Sequence, residues 1–161
     1  GATLHILNHA TMKSCLFLVS GSVELQTGRR SLHSYEGLGR VMPWTFAGFT
    51  LAALAMVGIP PTAGFFSKWY LVLGGIEAGQ WPIVLILVAS SLLTAGYFFR
   101  LLEKVYANPS PSLKACDPGM LARVSILALG PGVLVLGIAN FWFVGEVLQP
   151  ALPATLRLTG M

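Results

Sequence analysis

Gly58-Ile59-Pro60-Pro61-Thr62-Ala63-Gly64-Phe65-Phe66-Ser67-Lys68 is the stretch on which the reading of this chain turns. Pro60 and Pro61 have no backbone N–H to donate, so helix continuity is lost between two apolar runs. Thr62 or Pro61 is suited to start the next helix, as cap or first-turn residue. Gly64 stands one turn before Lys68 on the same face, where it removes bulk beside the ammonium and leaves room for water or a neighbouring helix. Lys68 follows Pro61 by roughly 10 Å of helix, which is mid-membrane if the prolines sit at the surface. A lysine at that depth costs roughly 2.5–3.5 kcal/mol on insertion scales, so it faces protein or water and marks ion or proton paths. Irregular backbone there must be covered by protein or line a cavity, and broken helices carrying an ionisable group are typical of ion-translocating sites. The plainer alternative is a turn between two spans with a snorkelling lysine.

The rest of the chain has the composition that such a break requires. Of its 161 residues 55% are hydrophobic and 10% charged, against about 25% charged in a soluble domain. The apolar residues form blocks close to the ~20 residues that cross roughly 30 Å of hydrocarbon. The expectation is an all-α integral membrane helical bundle, a single transmembrane domain over residues 1–161. About five transmembrane helices are drawn at 3–20, 43–59, 62–78, 82–102 and 121–145, with the discontinuity at Pro60-Pro61. Gly130-Pro131-Gly132 should kink or interrupt the last span. Trp81, Tyr97 and Arg100 suit the interfacial belt. Asn108-Pro109-Ser110-Pro111 and Asp117-Pro118-Gly119 are turn signals, and a short tail after Gln149-Pro150 fits the membrane surface. The chain enters an apolar run almost at once from Gly1, which reads as the C-terminal part of a longer polypeptide.

The net charge of +4 does not point to nucleic acid, because the basic residues sit in loops without a dense patch. With five spans, one side collects Arg29, Arg30, Arg40 and Arg157, and the other Arg100, Lys104, Lys114 and Arg123. That tally is even and leaves the orientation open. Cys15 and Cys116 give neither a disulfide framework nor a metal signature. The first block lacks the basic start and cleavage pattern of a signal peptide.

The first span carries a second constellation. His5, His9 and Lys13 recur every four residues, a stripe that drifts about 40° per step on a helix, with Asn8 beside it. Linked by water, such a stripe forms a proton relay: histidine titrates near pH 6.5 and burial brings lysine toward neutrality. His5 and His9 as interfacial anchors, or Lys13 snorkelling, are the bland alternatives. A metal on His5 and His9 lacks a third ligand, so no metal is expected. Ser90, Ser91 and Thr94 lie within the fourth span, suited to bridge helices or contact channel water, with bonding back to their own backbone the commoner role. Glu146 reads as interfacial, and Glu24 closes the first span within reach of a loop arginine. Phe65, Phe66, Trp69 and Tyr70 read as packing residues. No nucleophile triad, phosphate loop, hydrolytic carboxylate pair or redox motif is present, so no catalytic centre and no cofactor are expected.

His-Ile-Leu-Asn-His-Ala-Thr-Met-Lys-Ser-Cys-Leu-Phe-Leu (5–18) resembles the H-xxx-HA-xx-K-xx-LFL segment of the antiporter-like proton-conducting subunits of respiratory complex I, Mrp-type Na⁺/H⁺ antiporters and membrane-bound hydrogenases. Residues 58–68 are similar to that family's GIPP-xx-GF-x-x-K signature at a discontinuous helix. The two motifs occur in the family's order, and the resemblance runs to about residue 106. Residues 58–73 look most like the D-type branch of the Mrp antiporters. The resemblance implies spans ten to fourteen of a fourteen-span protein in the bacterial inner membrane. Lys13 would then be the lysine of the central hydrophilic axis, His5 and His9 its histidines, and Lys68 the lysine of the broken twelfth span near the exit half-channel. The family's first-half lysine and glutamate have no counterpart in these residues.

Three functions follow as expectations. The first is translocation of protons, or of a cation such as Na⁺ against protons, along His5, His9, Lys13 and Lys68. The partners would be other membrane subunits of a complex that supplies the driving reaction. The second is a secondary transporter that binds a small anion at the lysines. The third is a structural membrane subunit whose lysines only hold neighbouring helices.

Overall fold

The computed structural model describes residues 2–28, 31, 35–107 and 115–148. Arg29, Arg30, His33, Lys114 and Arg157, the Asn108–Pro111 turn signal and the tail from Gln149 lie outside the described residues. Every described element is helical: α1 (Ala2–Thr27), the short α2 (Leu38–Val41), α3 (Pro43–Val57), α4 (Ala63–Glu77), α5 (Trp81–Tyr106), α6 (Met120–Ile138), α7 (Asn140–Trp142) and a π-helical turn (Phe143–Leu148). The proline at the first position of α3 and the one after Trp81 in α5 fall where a missing N–H costs nothing.

Two of the expected boundaries shift. The first helix runs on to Thr27, because Leu16–Ser20 is followed by Gly-Ser-Val-Glu-Leu-Gln-Thr, whose good helix formers and buried positions Ser22 and Val23 continue the packing stripe. The last helix is not interrupted at Gly130-Pro131-Gly132: α6 passes through Pro131 without a break. Gly130 is buried against α3 there, and Pro131 faces outward. The α-helix ends instead at Ile138, where Ala139 takes the C-cap and the chain passes through α7 into the π-helical turn.

By length and apolarity, Trp81–Val105 and Met120–Ile138 are able to cross a membrane, each with a mean hydropathy of 2.0. The 26 residues of α1 are long enough but carry His5, His9 and Lys13. At 15 residues each, α3 and α4 reach only roughly 22 Å.

The core lies where α3 packs between α1, α5 and α6. Cys15, Val19 and Val23 of α1 meet Phe46, Phe49, Ala52 and Ala53 of α3, with Phe98, Leu101 and Val105 of α5 and Ile126 of α6. Small residues set the distances, as they do where helix backbones must approach closely. A Cβ on Gly48 would collide with the Ile126 side chain, and one on Gly130 would stand 2.8 Å from the Gly48 Cα. Consequently α3 and α6 touch backbone to backbone, and α3 occupies the centre of the bundle.

Candidate functional site

The backbone between α3 and α4 breaks at the predicted place. Gly58 ends α3 with φ 92° and its N–H on the Leu54 carbonyl, a left-handed cap that glycine adopts without a steric penalty. The Pro60-Pro61 bond is cis. Thr62 turns its hydroxyl back onto the Ile59 carbonyl at 2.7 Å, and α4 starts at Ala63. Thr62 and Ala63 are buried, and the cover comes from α6, where Gly137 leaves room for the backbone of residues 61–63. The Thr62–Ala63 side of the irregular backbone is thus covered by protein, as such backbone at membrane depth requires, while Pro60 and Pro61 are exposed on the other side. Gly64 does not lie beside the ammonium: a Cβ on it would collide with the Ala55 carbonyl, so it provides the closest approach of α4 to α3. The glycine next to the lysine is Gly58, whose added Cβ would stand 3.2 Å from the Lys68 Cδ.

Lys68 is half-buried and points inward. Its Nζ donates to the carbonyls of Met56 (2.8 Å) and Val57 (3.0 Å) and to the Ser91 Oγ (3.1 Å). An ammonium has three protons to donate, and each of them has an acceptor here. Met56 and Val57 belong to the last turn of α3, where four carbonyls lack partners within the helix. Lys68 therefore caps α3 from across the break, at the end where the helix dipole favours a cation. The other end of α3 is matched. Oδ1 of Asp117 accepts from the Thr45 N–H (3.0 Å) and the Thr45 hydroxyl (2.8 Å), which places a carboxylate at the positive end. One central helix thus has a negative side chain at its start and a positive one at its close, both supplied by other segments. In the sequence Asp117 reads only as part of a turn.

The stripe on α1 is placed differently. His5 and His9 are half-buried, with ring centroids 5.7 Å apart. The Ser67 hydroxyl donates to the Gly64 carbonyl at 3.1 Å, so its oxygen accepts from the His5 Nδ1, also at 3.1 Å. Asn8 is buried and donates to the Ala63 carbonyl at 3.0 Å, while its Oδ1 has no hydrogen-bond partner among the described residues. Lys13, expected inside the bundle, is exposed on its outer surface, with Nζ 6.0 Å from the Phe17 ring centroid. The buried line of α1 runs through Leu4, Asn8, Met12, Cys15 and Val19, and Lys13 is turned about 100° from Met12. The four-residue stripe drifts as expected, and by its third member it has left the packed face.

His5 is thus joined to α4 through Ser67, and Lys68 follows Ser67 in sequence but faces α3 and α5. Ser67 is fully buried and had no signal of its own beyond standing before the lysine. Of the three serine and threonine residues on α5, Ser90 and Thr94 bond, among the described residues, to their own helix at the Leu87 and Ser90 carbonyls. Ser91 also bonds back to Leu87 (3.0 Å) but reaches Lys68 as well. The aromatic cluster packs on itself, with Phe65 stacked on Trp69 and edge-on to Phe66, while Tyr70 accepts from the buried Asn140. Glu146 is exposed in the π-helical turn.

Residues 1–94 match the family described as "NADH:quinone oxidoreductase/Mrp antiporter, TM". The NADH-quinone oxidoreductase subunit N of Desulforudis audaxviator is 47% identical over 95% of this chain and 33% of its own length. The Na(+)/H(+) antiporter subunit A1 of Staphylococcus haemolyticus is 30% identical over 99% of this chain and 21% of its own length. The chain therefore spans a third or less of these relatives. Their names, N and A1, do not uphold the D-type Mrp branch read from residues 58–73. The structure of the Mrp complex from Dietzia sp. DQ12-45-1b contains a chain with the same fold, at a TM-score of 0.76 and 22% identity over 88% of this chain and 35% of that one. With a matched family of transmembrane segments and a shared helical fold, the protein is a multi-pass membrane protein, and it belongs to the NADH:quinone oxidoreductase/Mrp antiporter transmembrane family.

Proposed function

We propose that this chain is the part of a proton-translocating subunit, in a complex I-like or Mrp-type assembly, that contains the lysine at the broken helix. The observation that carries the proposal is the Lys68 ammonium held at the end of α3 by two helix carbonyls and one hydroxyl. A lysine so placed has two defined states. Protonated, it supplies the charge that the end of α3 favours and one proton to each of its three acceptors; neutral, it keeps two N–H groups for those three acceptors and loses the charge. A change in hydration or nearby charge shifts that balance, and one pKa unit corresponds to about 1.36 kcal/mol. His5, tied to α4 through Ser67, and His9, whose ring lies beside that of His5, form the upstream segment of the path. Lys13 joins it once other helices of the longer subunit, or a neighbouring subunit, cover the outer face of α1. In this reading α1, α3, α4, α5 and α6 are the five spans of one domain in a bacterial inner membrane. The driving reaction resides in partner subunits. The 47% identity to a subunit N favours that branch over the antiporter A1 branch.

The test is proton uptake into vesicles containing the intact complex, with and without sodium, for the native subunit and for Lys68→Ala and Lys13→Ala. Assembly retained with translocation lost in both variants is the expected result; a sodium requirement would favour antiport. The capping geometry equally suits a structural lysine, for which Lys68→Ala would weaken assembly and leave the pumping of assembled complexes unchanged. An anion site is less well matched, because an anion at Lys68 must displace one of three acceptors already in place.

A further inference from the structure

We propose that the Ser91 hydroxyl is the relay through which Lys68 exchanges its proton with the cleft between α4 and α5. This rests on Lys68 being a translocating residue, and it assigns the route by which the proton leaves. Of the three groups that accept from Nζ, two are backbone carbonyls of α3. A peptide oxygen accepts a hydrogen bond but has no proton of its own to pass on. A serine hydroxyl accepts on its lone pairs and donates its hydrogen, so it alone among the three can hand a proton forward. The Nζ–Oγ separation of 3.1 Å is within the range of about 2.6–3.2 Å for direct proton transfer.

A cleft of about 270 Å³ opens between α4 and α5; Val57, Phe65, Val72, Leu87 and Leu92 make most of its wall apolar, and Lys68 and Ser91 form its polar end. Water has room there at that polar end, held by the Lys68 Nζ and the Ser91 Oγ. In the structure the Ser91 O–H is directed to the Leu87 carbonyl at 3.0 Å, a dead end for a proton. Rotation about Cβ–Oγ turns it toward the cleft. In the transfer step an Nζ–H bond breaks and a new Oγ–H bond forms, while the original Oγ–H bond breaks and its proton passes to a cleft water. Lys68 is left as a neutral amine, Ser91 is unchanged, and the water becomes hydronium. The hydroxyl rotor acts as the gate: with O–H on Leu87 the lysine is isolated, and with O–H on water it is connected. Ser90 lies next in sequence but is exposed and bonds to its own helix, so it serves as the control.

The experiment uses vesicles containing the intact complex and a pH-sensitive dye. Ser91→Val and Ser91→Thr have the same shape and differ in the hydroxyl. Ser91→Val is expected to lose at least about tenfold in translocation rate, and Ser91→Thr to stay within roughly threefold of native, as for loss and retention of a proton-transfer group. Ser90→Ala should match native. Equal rates for the Val and Thr variants, both native-like or both lost in assembled complexes, overturn the relay. Should Ser91→Val fail to assemble, Ser91→Cys takes its place: a slower rate with a larger solvent deuterium isotope effect supports the relay, and a native rate with a native isotope effect overturns it. Lys68→Ala in the same assay separates the two claims. If it is inactive while Ser91→Val is native, only the relay is wrong; if it translocates at the native rate, the proposed function has failed first.

Discussion

Two lysines distinguish this chain, and the bundle treats them in opposite ways. Lys68 lies across a helix break, where the end of α3 offers unpaired carbonyls and α5 offers a hydroxyl, so its charge has three partners within the fold. Lys13 lies in the middle of a continuous helix, α1, whose own carbonyls are already satisfied, and it projects from the outer face beside Phe17. The difference teaches that a charged residue in an apolar run is accommodated by backbone, and that backbone is available only where a helix stops. The break at 58–62 frees the acceptors that Lys68 uses. A stripe on an unbroken helix needs a neighbour to supply them.

If that contrast is right, bulk should be tolerated in one region and not in the other. Gly64→Val drives a side chain into the Ala55 carbonyl, and the same change at Gly137 drives one into residues 61–63. Overpacking typically costs about 1–3 kcal/mol and more against backbone, so both variants should sharply reduce the amount of assembled complex in membranes. Gly21 on α1 has nothing within 4 Å of an added Cβ, and Gly21→Ala should leave the amount unchanged or raise it, since alanine favours helix by about 0.5–1 kcal/mol. A next, smaller effect comes from the opposite end of α3. Asp117→Ala removes both bonds to Thr45 and should cost about 0.5–2 kcal/mol, read as a lower unfolding temperature of the purified complex. Ser67→Ala breaks the link from His5 to α4 at a cost of about 1 kcal/mol in the same measurement. Lys13→Ala should change that temperature least, within about 0.5 kcal/mol in the bundle itself. A large loss there in the complete complex would mean that a neighbouring helix covers Lys13, and would sharpen the contrast by supplying the partner that α1 lacks.

How far these features were legible in the sequence follows the range of the forces involved. The break was legible because Pro60 and Pro61 act through covalent geometry, and the family match over residues 1–94 bears out the resemblance read from the two lysine segments. The orientation of Lys13 was not, because periodicity places residues on a face without saying what covers that face. Gly130-Pro131-Gly132 reads as a kink or an interruption, and α6 is not interrupted there: Gly130 is needed for contact with Gly48, and a proline on the outer side leaves that contact undisturbed. Gly64 was expected beside Lys68 and Gly58 stands there instead, a matter of tertiary approach that no local pattern encodes. Ser67, Ser91 and Asp117 carry the site's connections and looked ordinary, because a single hydroxyl or a turn carboxylate acquires meaning only from what folds against it.

The central claim is that Lys68 works by releasing and regaining a proton, and not only by capping α3. Lys68→Arg separates these roles most directly, because arginine keeps the charge and the donors to the α3 carbonyls but does not deprotonate in the working range. Proton translocation by the intact complex in vesicles, measured beside its assembly and unfolding temperature, gives the answer. Normal assembly and near-native stability with translocation abolished is the result expected here, and an arginine variant that pumps at the native rate would contradict it.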